Sequence, residues 1–267
     1  MNLVLQGPAL TENLARELGA AERITDRAFR LRKVPVRDLS AWGEKHRADH
    51  AWVPEGRRFA DLKLVAMDMD STLITMETID ELGDLVGRKA EIAAITARAM
   101  RGEIDYPESL RQRVSLLKGL PESGLLEIYD TRLKLNSGAE ALLAACKRHG
   151  VKTLLVSGGF TYFVERLKAR LGIDYAISNT LEITDGRLTG RVVGDIVDAD
   201  AKAAKFREIA RASRKEQTVA IGDGANDLKM MAEAGYSVAF HAKPVVRAQA
   251  GCALTWSGLD GVVNLFE

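Results

Sequence analysis

Short apolar segments separated by helical periodicity constrain the fold of this chain most strongly. Five such segments, each bounded by turn residues, lie at 64–67, 153–157, 218–222, 237–240 and 253–256. Strands that are apolar along nearly their whole length are buried on both faces, and strands that alternate with helices pair in parallel. The chain is therefore predicted to be an α/β protein with a Rossmann-like, doubly wound parallel sheet.

A block of helical pattern interrupts this series directly after the first strand. It extends from residue 78 to 136, whereas an ordinary connection between parallel strands contains a single helix. We predict an inserted helical cap at 78–136 in a core formed by 61–77 and 137–267. Further along, Asp185-Gly186 lies between two alternating segments and predicts a β-hairpin, because both turn positions tolerate a positive φ angle.

Residues 1–60 differ in pattern from the rest of the chain. They predict a strand at 2–7, a helix from about Thr11 to Leu18, a strand at 29–34 and a polar helix at 36–50. We expect a small N-terminal α+β accessory unit. It is too short to bury a large core alone, so we expect it to pack on the main body or on a second copy of the chain. The second arrangement would give a homodimer, and the sequence does not decide between the two.

The histidines and cysteines offer no complete metal site. His46 and His50 share one face of the predicted polar helix, which permits a metal site in principle, but no third ligand is in view. Cys146 and Cys252 lack C-x-x-C spacing, so both are predicted to be reduced core residues, as in a cytosolic protein.

Composition narrows the classes of partner. The 38 basic and 37 acidic side chains create no strong field for nucleic acid or an anionic membrane. No apolar segment reaches the roughly 18 residues of a membrane span, and the N-terminus lacks a secretory signal. We expect a cytoplasmic protein with a small-molecule substrate, without nucleic-acid or membrane partners.

An acidic pair, Asp68 and Asp70, follows the first predicted strand, and Thr72 continues the same parity. Alternate strand residues project to one side, here into the crevice where open α/β sheets bind ligands. Two carboxylates this close share a cation, share a proton, or divide into an acid and a base. A solvated turn is the alternative for an isolated D-x-D.

Further polar residues follow the second and third strands. They are Ser157, Gly158, Gly159, Asp223, Asn226 and Asp227, with Lys202 near the start of the helix before the third strand. Each element alone has an ordinary alternative: a loop, a helix cap or a solvated charge. A hydroxyl and glycines entering a helix offer N–H groups to an anion. In this order along the chain, the set indicates metal-assisted phosphoryl transfer.

These residues resemble the four signatures of the haloacid dehalogenase superfamily, which match DMDST, Ser157, Lys202 and GDGAND in the correct order. Within that superfamily, the segments DMDSTLITMETIDEL, SLRQRVSLLKG, VSGGF and VAIGDGANDLKMMAEAG are similar to the phosphoserine phosphatases. The resemblance covers about residues 62–267. Residues 1–60 resemble the N-terminal extension of some bacterial members only loosely.

The resemblance implies a magnesium-dependent phosphatase that converts O-phospho-L-serine to L-serine and phosphate, the last step of serine biosynthesis. Asp68 would be the nucleophile that forms an aspartyl-phosphate, and Asp70 the general acid and then the general base. Mg²⁺ would be held by Asp68, the backbone carbonyl of Asp70, and Asp223, with Asp227 supporting these ligands.

The resemblance also implies how the substrate is bound. Arg113 would pair with the substrate carboxylate and Glu77 with its ammonium group, while Tyr106 closes over the substrate. The phosphate would be held by Ser157, the Gly158 amide, Lys202 and Asn226.

Three other functions stay open at this point. Phosphohomoserine or phosphothreonine could be the substrate, since Glu77 and Arg113 would recognise any α-amino acid end. A receiver-type signalling domain would also carry a phosphorylated aspartate, although the long helical insertion and Asp70 argue against it. A dinucleotide-binding module is disfavoured because GDGAND departs from the G-x-G-x-x-G pattern.

Overall fold

The computed structural model describes residues 1–267, and its eleven strands form two separate sheets. In chain order the strands are β1 (Asn2–Gln6), β2 (Ala21–Thr25), β3 (Ala28–Arg32), β4 (Asp49–Val53), β5 (Leu64–Asp68), β6 (Lys152–Phe160), β7 (Tyr175–Thr184), β8 (Arg187–Val193), β9 (Thr218–Gly222), β10 (Tyr236–Phe240) and β11 (Cys252–Leu254). The smaller sheet has the order β2-β3-β1-β4, and the larger one has the order β11-β10-β9-β5-β6-β7-β8.

Twelve α-helices connect and cover these strands. They are α1 (Glu12–Arg16), α2 (Ser40–His46), α3 (Thr78–Leu85), α4 (Lys89–Met100), α5 (Tyr106–Ser115), α6 (Glu122–Glu127), α7 (Ala139–His149), α8 (Thr161–Leu171), α9 (Ala199–Ala210), α10 (Leu228–Glu233), α11 (Pro244–Arg247) and α12 (Gly261–Asn264). None of these helices has the length and apolar character that crossing a membrane requires.

The predicted parallel α/β core is confirmed. Strands β11 to β7 of the larger sheet pair in parallel, and only the edge strand β8 is antiparallel. Side chains of β5 alternate between two buried clusters: Val65 and Met67 lie in one, Leu64 and Ala66 in the other. The sheet is thus covered on both faces, which explains why its strands are apolar nearly throughout.

Five helices, α3 to α7, lie between β5 and β6, and the first four of them fall within residues 78–136, where the sequence predicts an inserted helical block. Leu110 of α5 and Leu125 of α6 are buried with the larger core cluster. The predicted hairpin is also present, since β7 and β8 turn at Asp185 and Gly186 with φ angles of 51° and 70°. Leu188 of this hairpin exchanges two backbone hydrogen bonds with the segment between α5 and α6.

The N-terminal unit contains two strands that the sequence reading missed, β2 and β4. The predicted helix at 36–50 is wrong before Ser40 and beyond His46. At its end, Arg47 adopts a left-handed conformation with φ 49° and the chain continues as β4. His46 and His50 therefore lie on different elements and share no helix face. Pairing of β4 with β1 over five residues overrides the local polar composition.

The N-terminal unit contacts the core through a buried carboxylate. Asp49 at the start of β4 is 5% exposed, and it accepts backbone hydrogen bonds from Thr255, Trp256 and Ser257 in the segment after β11. The bonds from Thr255 and Ser257 measure 2.7 and 2.8 Å. Consecutive backbone N–H groups of this kind form a concave anion site, here filled by a side chain of the same molecule.

Replacing Asp49 by Ala should therefore destabilise the protein. Loss of the carboxylate leaves half-buried backbone N–H groups without this acceptor, and we expect the free energy of unfolding to fall by about 1–3 kcal/mol. Denaturant unfolding monitored by circular dichroism measures this change. Asp26→Ala is the matched control, because the Asp26 side chain is 94% exposed. Equal stability of the two variants would contradict the structural role of Asp49.

Candidate active site

The first acidic pair lies where β5 ends. Asp68 is the last strand residue, and Met69–Leu73 form an irregular turn in which Ser71 has a φ angle of 56°. The interpretation that strand parity orients Asp70 is therefore wrong, because Asp70 lies beyond the strand. Its carboxylate is held instead by Thr78 at the start of α3, which donates from its backbone N–H (3.1 Å) and its hydroxyl (3.2 Å).

Three carboxylates from two neighbouring strands meet at one point. Oxygen atoms of Asp68, after β5, and of Asp223 and Asp227, after β9, all lie within 4.8 Å of one another. Lys202 on α9 contacts this cluster, and its Nζ lies 2.8 Å from an oxygen of Asp68 and 2.8 Å from one of Asp227. Thr72 adds a hydroxyl 3.3 Å from Asp223 Oδ1. The strand ends that the sequence predicts to share one crevice therefore do meet in the structure.

The protonation of these groups reflects burial and mutual repulsion. Burial, and then the charge of Asp227, raises the pKa of Asp68 well above its ordinary value. The same two causes raise the pKa of Asp223 to about 6. For Lys202, burial alone would lower the pKa, but the adjacent carboxylates Asp227 and Asp68 outweigh it and raise the pKa. Repelling carboxylates held this close are typical of a cation site.

The donor set fits a hard divalent cation. With all three carboxylates ionised, as coordination of a metal requires, and with Lys202 protonated, the cluster carries a net charge of about −2, and Mg²⁺ prefers such oxygen ligands. Asp227 already uses both oxygens, one for Lys202 and one for the N–H of Gly224 at 3.1 Å. That leaves Asp68 and Asp223 better able to coordinate metal, with Asp227 holding Lys202 and the turn. The Asp70 carboxylate lies outside this cluster.

The Ser157-Gly158-Gly159 segment forms the end of β6, just before α8. Ser157 is fully buried, and its Oγ accepts the N–H of Gly159 at 2.8 Å. A Cβ atom on Gly159 would lie 2.6 Å from Asp70 Oδ2 and 3.0 Å from Ser157 Oγ, so glycine is required for this close approach. The segment therefore lies directly beside the predicted acid.

The cap contacts this segment through Tyr106, the first residue of α5. Its hydroxyl donates a 3.0 Å hydrogen bond to the Gly158 carbonyl, and burial raises its pKa to about 12. The predicted position of Tyr106 over the site is consistent with this contact. Sequence reading did not foresee the hydrogen bond, because nothing in the local pattern shows which backbone carbonyl the hydroxyl reaches.

Glu77 and Arg113 lie on the cap side. Glu77 precedes α3, is exposed, and accepts a 2.6 Å hydrogen bond from the Ser71 hydroxyl. Arg113 is half-buried on α5, two turns after Tyr106. The charges of both residues affect the pKa of Asp80, a residue that the sequence analysis did not single out. Burial and then Glu77 raise this pKa, while Arg113 opposes the shift. One cation and one acid of the cap, with the acid that directly precedes it, thus lie within electrostatic range of one another.

Asp70 has the environment of a proton donor, since burial, and then the charge of Glu77, raises its pKa to about 8. A carboxyl group that stays protonated near neutral pH can donate to a leaving oxygen. Asn226, by contrast, is exposed on the turn after Asp223, and its amide oxygen lies over Gly224. It stands at the rim and outside the buried cluster.

Known proteins with similar sequences are phosphate-ester hydrolases or their relatives, as the arrangement of these side chains indicates. A sequence profile of haloacid dehalogenase-like hydrolases matches residues 65–232, and a second profile of such hydrolases matches residues 200–266. A phosphoserine phosphatase from Polaromonas sp. is 56% identical over 217 residues, which cover 79% of this chain and 92% of that protein. The chain belongs to the phosphoserine phosphatase family of haloacid dehalogenase-like hydrolases.

Solved structures place the family fold on this chain. A probable phosphoserine phosphatase from Vibrio cholerae has a TM-score of 0.84 and 38% identity, covering 99% of this chain and 86% of that one. A phospho-aspartyl intermediate analogue of a phosphoserine phosphatase has a TM-score of 0.71 and 39% identity, covering 77% of this chain and 99% of that one. The second of these structures therefore matches only part of this chain.

The Tyr106 hydroxyl should stabilise the closed position of the cap. Tyr106→Phe keeps the ring but removes one neutral hydrogen bond, worth about 1 kcal/mol, so opening should become roughly five times more frequent. Hydrogen–deuterium exchange of α5 amides measures the opening. Tyr129→Phe, in the turn after α6, is the control. Unchanged α5 exchange in Tyr106→Phe would show that the bond does not hold the cap.

Proposed function

We propose that this protein is a magnesium-dependent phosphatase that hydrolyses O-phospho-L-serine to L-serine and phosphate through an aspartyl-phosphate on Asp68. The observation that carries the proposal is the cluster of Asp68, Asp227 and Lys202, which are buried, with the half-buried Asp223 at adjacent strand ends. It occurs in a chain that is 56% identical to a phosphoserine phosphatase. A related structure named as a phospho-aspartyl intermediate analogue supports the choice of an aspartate nucleophile.

Charge explains why the site needs a cation. A carboxylate that attacks a phosphate dianion meets like charge, and two unit charges 4 Å apart repel by about 4 kcal/mol at an effective dielectric constant of 20. Asp68, Asp223 and the Asp70 carbonyl would hold Mg²⁺, with Asp227 behind them. When bound, Mg²⁺ neutralises this repulsion and orients the phosphate oxygens.

Asp68 attacks phosphorus and the ester oxygen leaves as the serine hydroxyl. Asp70 lies on the turn that follows Asp68, held by two donors from Thr78 and next to Gly159. From there it gives its proton to the departing oxygen, and then accepts a proton from the water that attacks the aspartyl-phosphate. Thr78 keeps the carboxyl group in one orientation through both steps.

The phosphate oxygens require donors that are already in place. The Ser157 hydroxyl accepts the Gly159 N–H, so its own proton remains free to donate. Lys202 uses two of its three protons for Asp68 and Asp227, and the third remains for phosphate. The Gly158 amide and Asn226 would complete the set. Catalysis of phosphoryl transfer is largely such positioning and charge stabilisation.

The cap supplies recognition of the amino-acid end. Arg113 offers a guanidinium fork to the substrate carboxylate, and Glu77 offers a carboxylate to its ammonium group. Tyr106 contacts the phosphate-binding segment directly, so cap closure and phosphate binding occur in one place. A closed cap also keeps bulk water from the phosphorylated enzyme.

We further propose a cytoplasmic enzyme of serine biosynthesis that binds a small molecule and no nucleic acid. Its nearly equal numbers of acidic and basic residues support this, since they provide no strong attractive field. The two cysteines are free and buried, as expected where thiols remain reduced. Association into homodimers is a separate question that sedimentation would answer.

Asp68→Asn should abolish turnover. The amide is a far weaker nucleophile, and we expect the rate to fall by at least about 1000-fold. Phosphate release from a panel of phospho-amino acids and phospho-sugars, with Mg²⁺ and with a chelator, measures both the substrate and the metal requirement. Asp26→Asn, on a 94% exposed side chain, is the control. Turnover that survives in Asp68→Asn would exclude the nucleophile assignment.

Arg113→Ala should weaken phosphoserine selectively. Losing a charge-assisted pair worth about 1.5–3 kcal/mol should reduce kcat/KM for phosphoserine by roughly 10- to 150-fold. Hydrolysis of p-nitrophenyl phosphate, which has no carboxylate, should change little. Arg111→Ala, on an exposed residue of the same helix, is the matched control. A uniform loss on both substrates would mean that Arg113 does not read the carboxylate.

A further inference from the structure

We infer that Asn179 is a positioning residue that fixes the two phosphate-binding elements of the site relative to each other. The inference rests on the proposed function and extends it to a residue outside the reacting groups. Asn179 lies on β7, is completely buried, and belongs to none of the motifs that indicate the site. A fully buried amide is costly unless its polar atoms are paired, so its bonds define its role.

The amide of Asn179 joins two segments that are distant in sequence. Its Nδ2 donates to the Gly158 carbonyl at 2.8 Å, and its Oδ1 accepts the backbone N–H of Val197 at 2.8 Å. A flipped amide would place oxygen against the carbonyl and NH₂ against the N–H, so these partners define one orientation. Neither segment can shift without breaking one of these two hydrogen bonds.

The bond to Gly158 orients the Ser157 hydroxyl. The Gly158 carbonyl and the Gly159 N–H belong to the same planar trans peptide, so the direction of one sets the direction of the other. The Gly159 N–H points at Ser157 Oγ, 2.8 Å away. Because this bond occupies the acceptor side of the hydroxyl, the Ser157 proton stays available for a phosphate oxygen. Asn179 thereby acts through one peptide plane on a proposed phosphate donor.

The bond to Val197 fixes the helix that carries Lys202. Val197 directly precedes Asp198, whose side chain caps α9 by accepting the N–H groups of Asp200 and Ala201. Lys202 follows one turn later and reaches the Asp68 carboxylate. Asn179 therefore sets the distance between the Ser157 segment and the Lys202 helix. Misplacing either group by about 1 Å lowers the rate of a positioned reaction strongly.

Asn179→Asp tests this inference with almost no change of shape. The carboxylate can still accept the Val197 N–H, but it turns an acceptor toward the Gly158 carbonyl and disturbs that peptide plane. We expect kcat/KM to fall by about 10- to 100-fold, equally for phosphoserine and for p-nitrophenyl phosphate, because the defect lies at the phosphoryl group. The inhibition constant for inorganic phosphate should rise with it.

A purely structural role predicts a different result. It would lower the unfolding free energy yet leave kcat and phosphate inhibition unchanged at temperatures where the variant stays folded, since two-state molecules are nearly all native there. That result, or a loss confined to phosphoserine, would overturn the inference. Asn179→Ser, which removes both bonds without adding charge, should show the same defect and serves where Asn179→Asp does not fold.

The control is Asn264→Asp, the same chemical change at a half-buried amide that bonds Gln6 in the N-terminal unit. It should keep wild-type kinetics on both substrates. Different results would refute the proposed function and the role of Asn179. Wild-type protein that hydrolyses neither ester in the presence of Mg²⁺ would refute the proposed function. Active wild-type protein with an unimpaired Asn179→Asp variant would refute only the role of Asn179.

Discussion

The ammonium of Lys202 between the carboxylates of Asp68 and Asp227 is the interaction on which the rest of the site depends. All three side chains are at most 7% exposed, and both N–O distances are 2.8 Å. Breaking a buried pair of this kind leaves an uncompensated charge and is strongly destabilising. The pair therefore holds α9 against the ends of β5 and β9. It also leaves an excess of negative charge that suits a divalent cation.

Around this pair, the two strand ends and the cap are connected by short hydrogen bonds. Asn179 connects the Gly158 carbonyl to the segment before α9, and Tyr106 reaches the same carbonyl from the cap. A single carbonyl oxygen thus accepts one donor from the rigid core and one from the cap. The cap thus contacts the segment that we propose to bind the phosphate oxygens, and under that proposal its closure would couple recognition of the amino-acid end to the chemistry.

Sequence predicted the parts of this arrangement that local pattern determines. Apolar segments located the strands of the parallel sheet, and Asp185-Gly186 located the hairpin, because both depend on neighbours in the chain. The acids at the ends of β5 and β9 were brought together by topology, since the carboxyl ends of parallel strands face one crevice. The resemblance to a known superfamily added the roles of these residues, which pattern alone leaves open.

What the sequence did not reveal depends on partners far along the chain. The predicted helix at 36–50 included the first two residues of β4, because this strand forms by pairing with the distant β1, where Val4 lies opposite Ala51. The turn that carries Asp70 takes its shape from Ser71, whose left-handed φ no composition rule requires. Asn179 finds its partners 21 and 18 residues away, at distances set by the sheet. Such contacts exist only in the folded chain, so the local sequence does not predict them.

The contact between the β7–β8 hairpin and the segment after α5 has a consequence for solubility. Strand β8 is the edge of the seven-stranded sheet, and Leu188 on it donates to Leu120 and accepts from Gly119. An open edge strand is a template on which another chain can add. The insertion thus shields part of that edge, and a shortened protein without it would present bare strand and tend to aggregate.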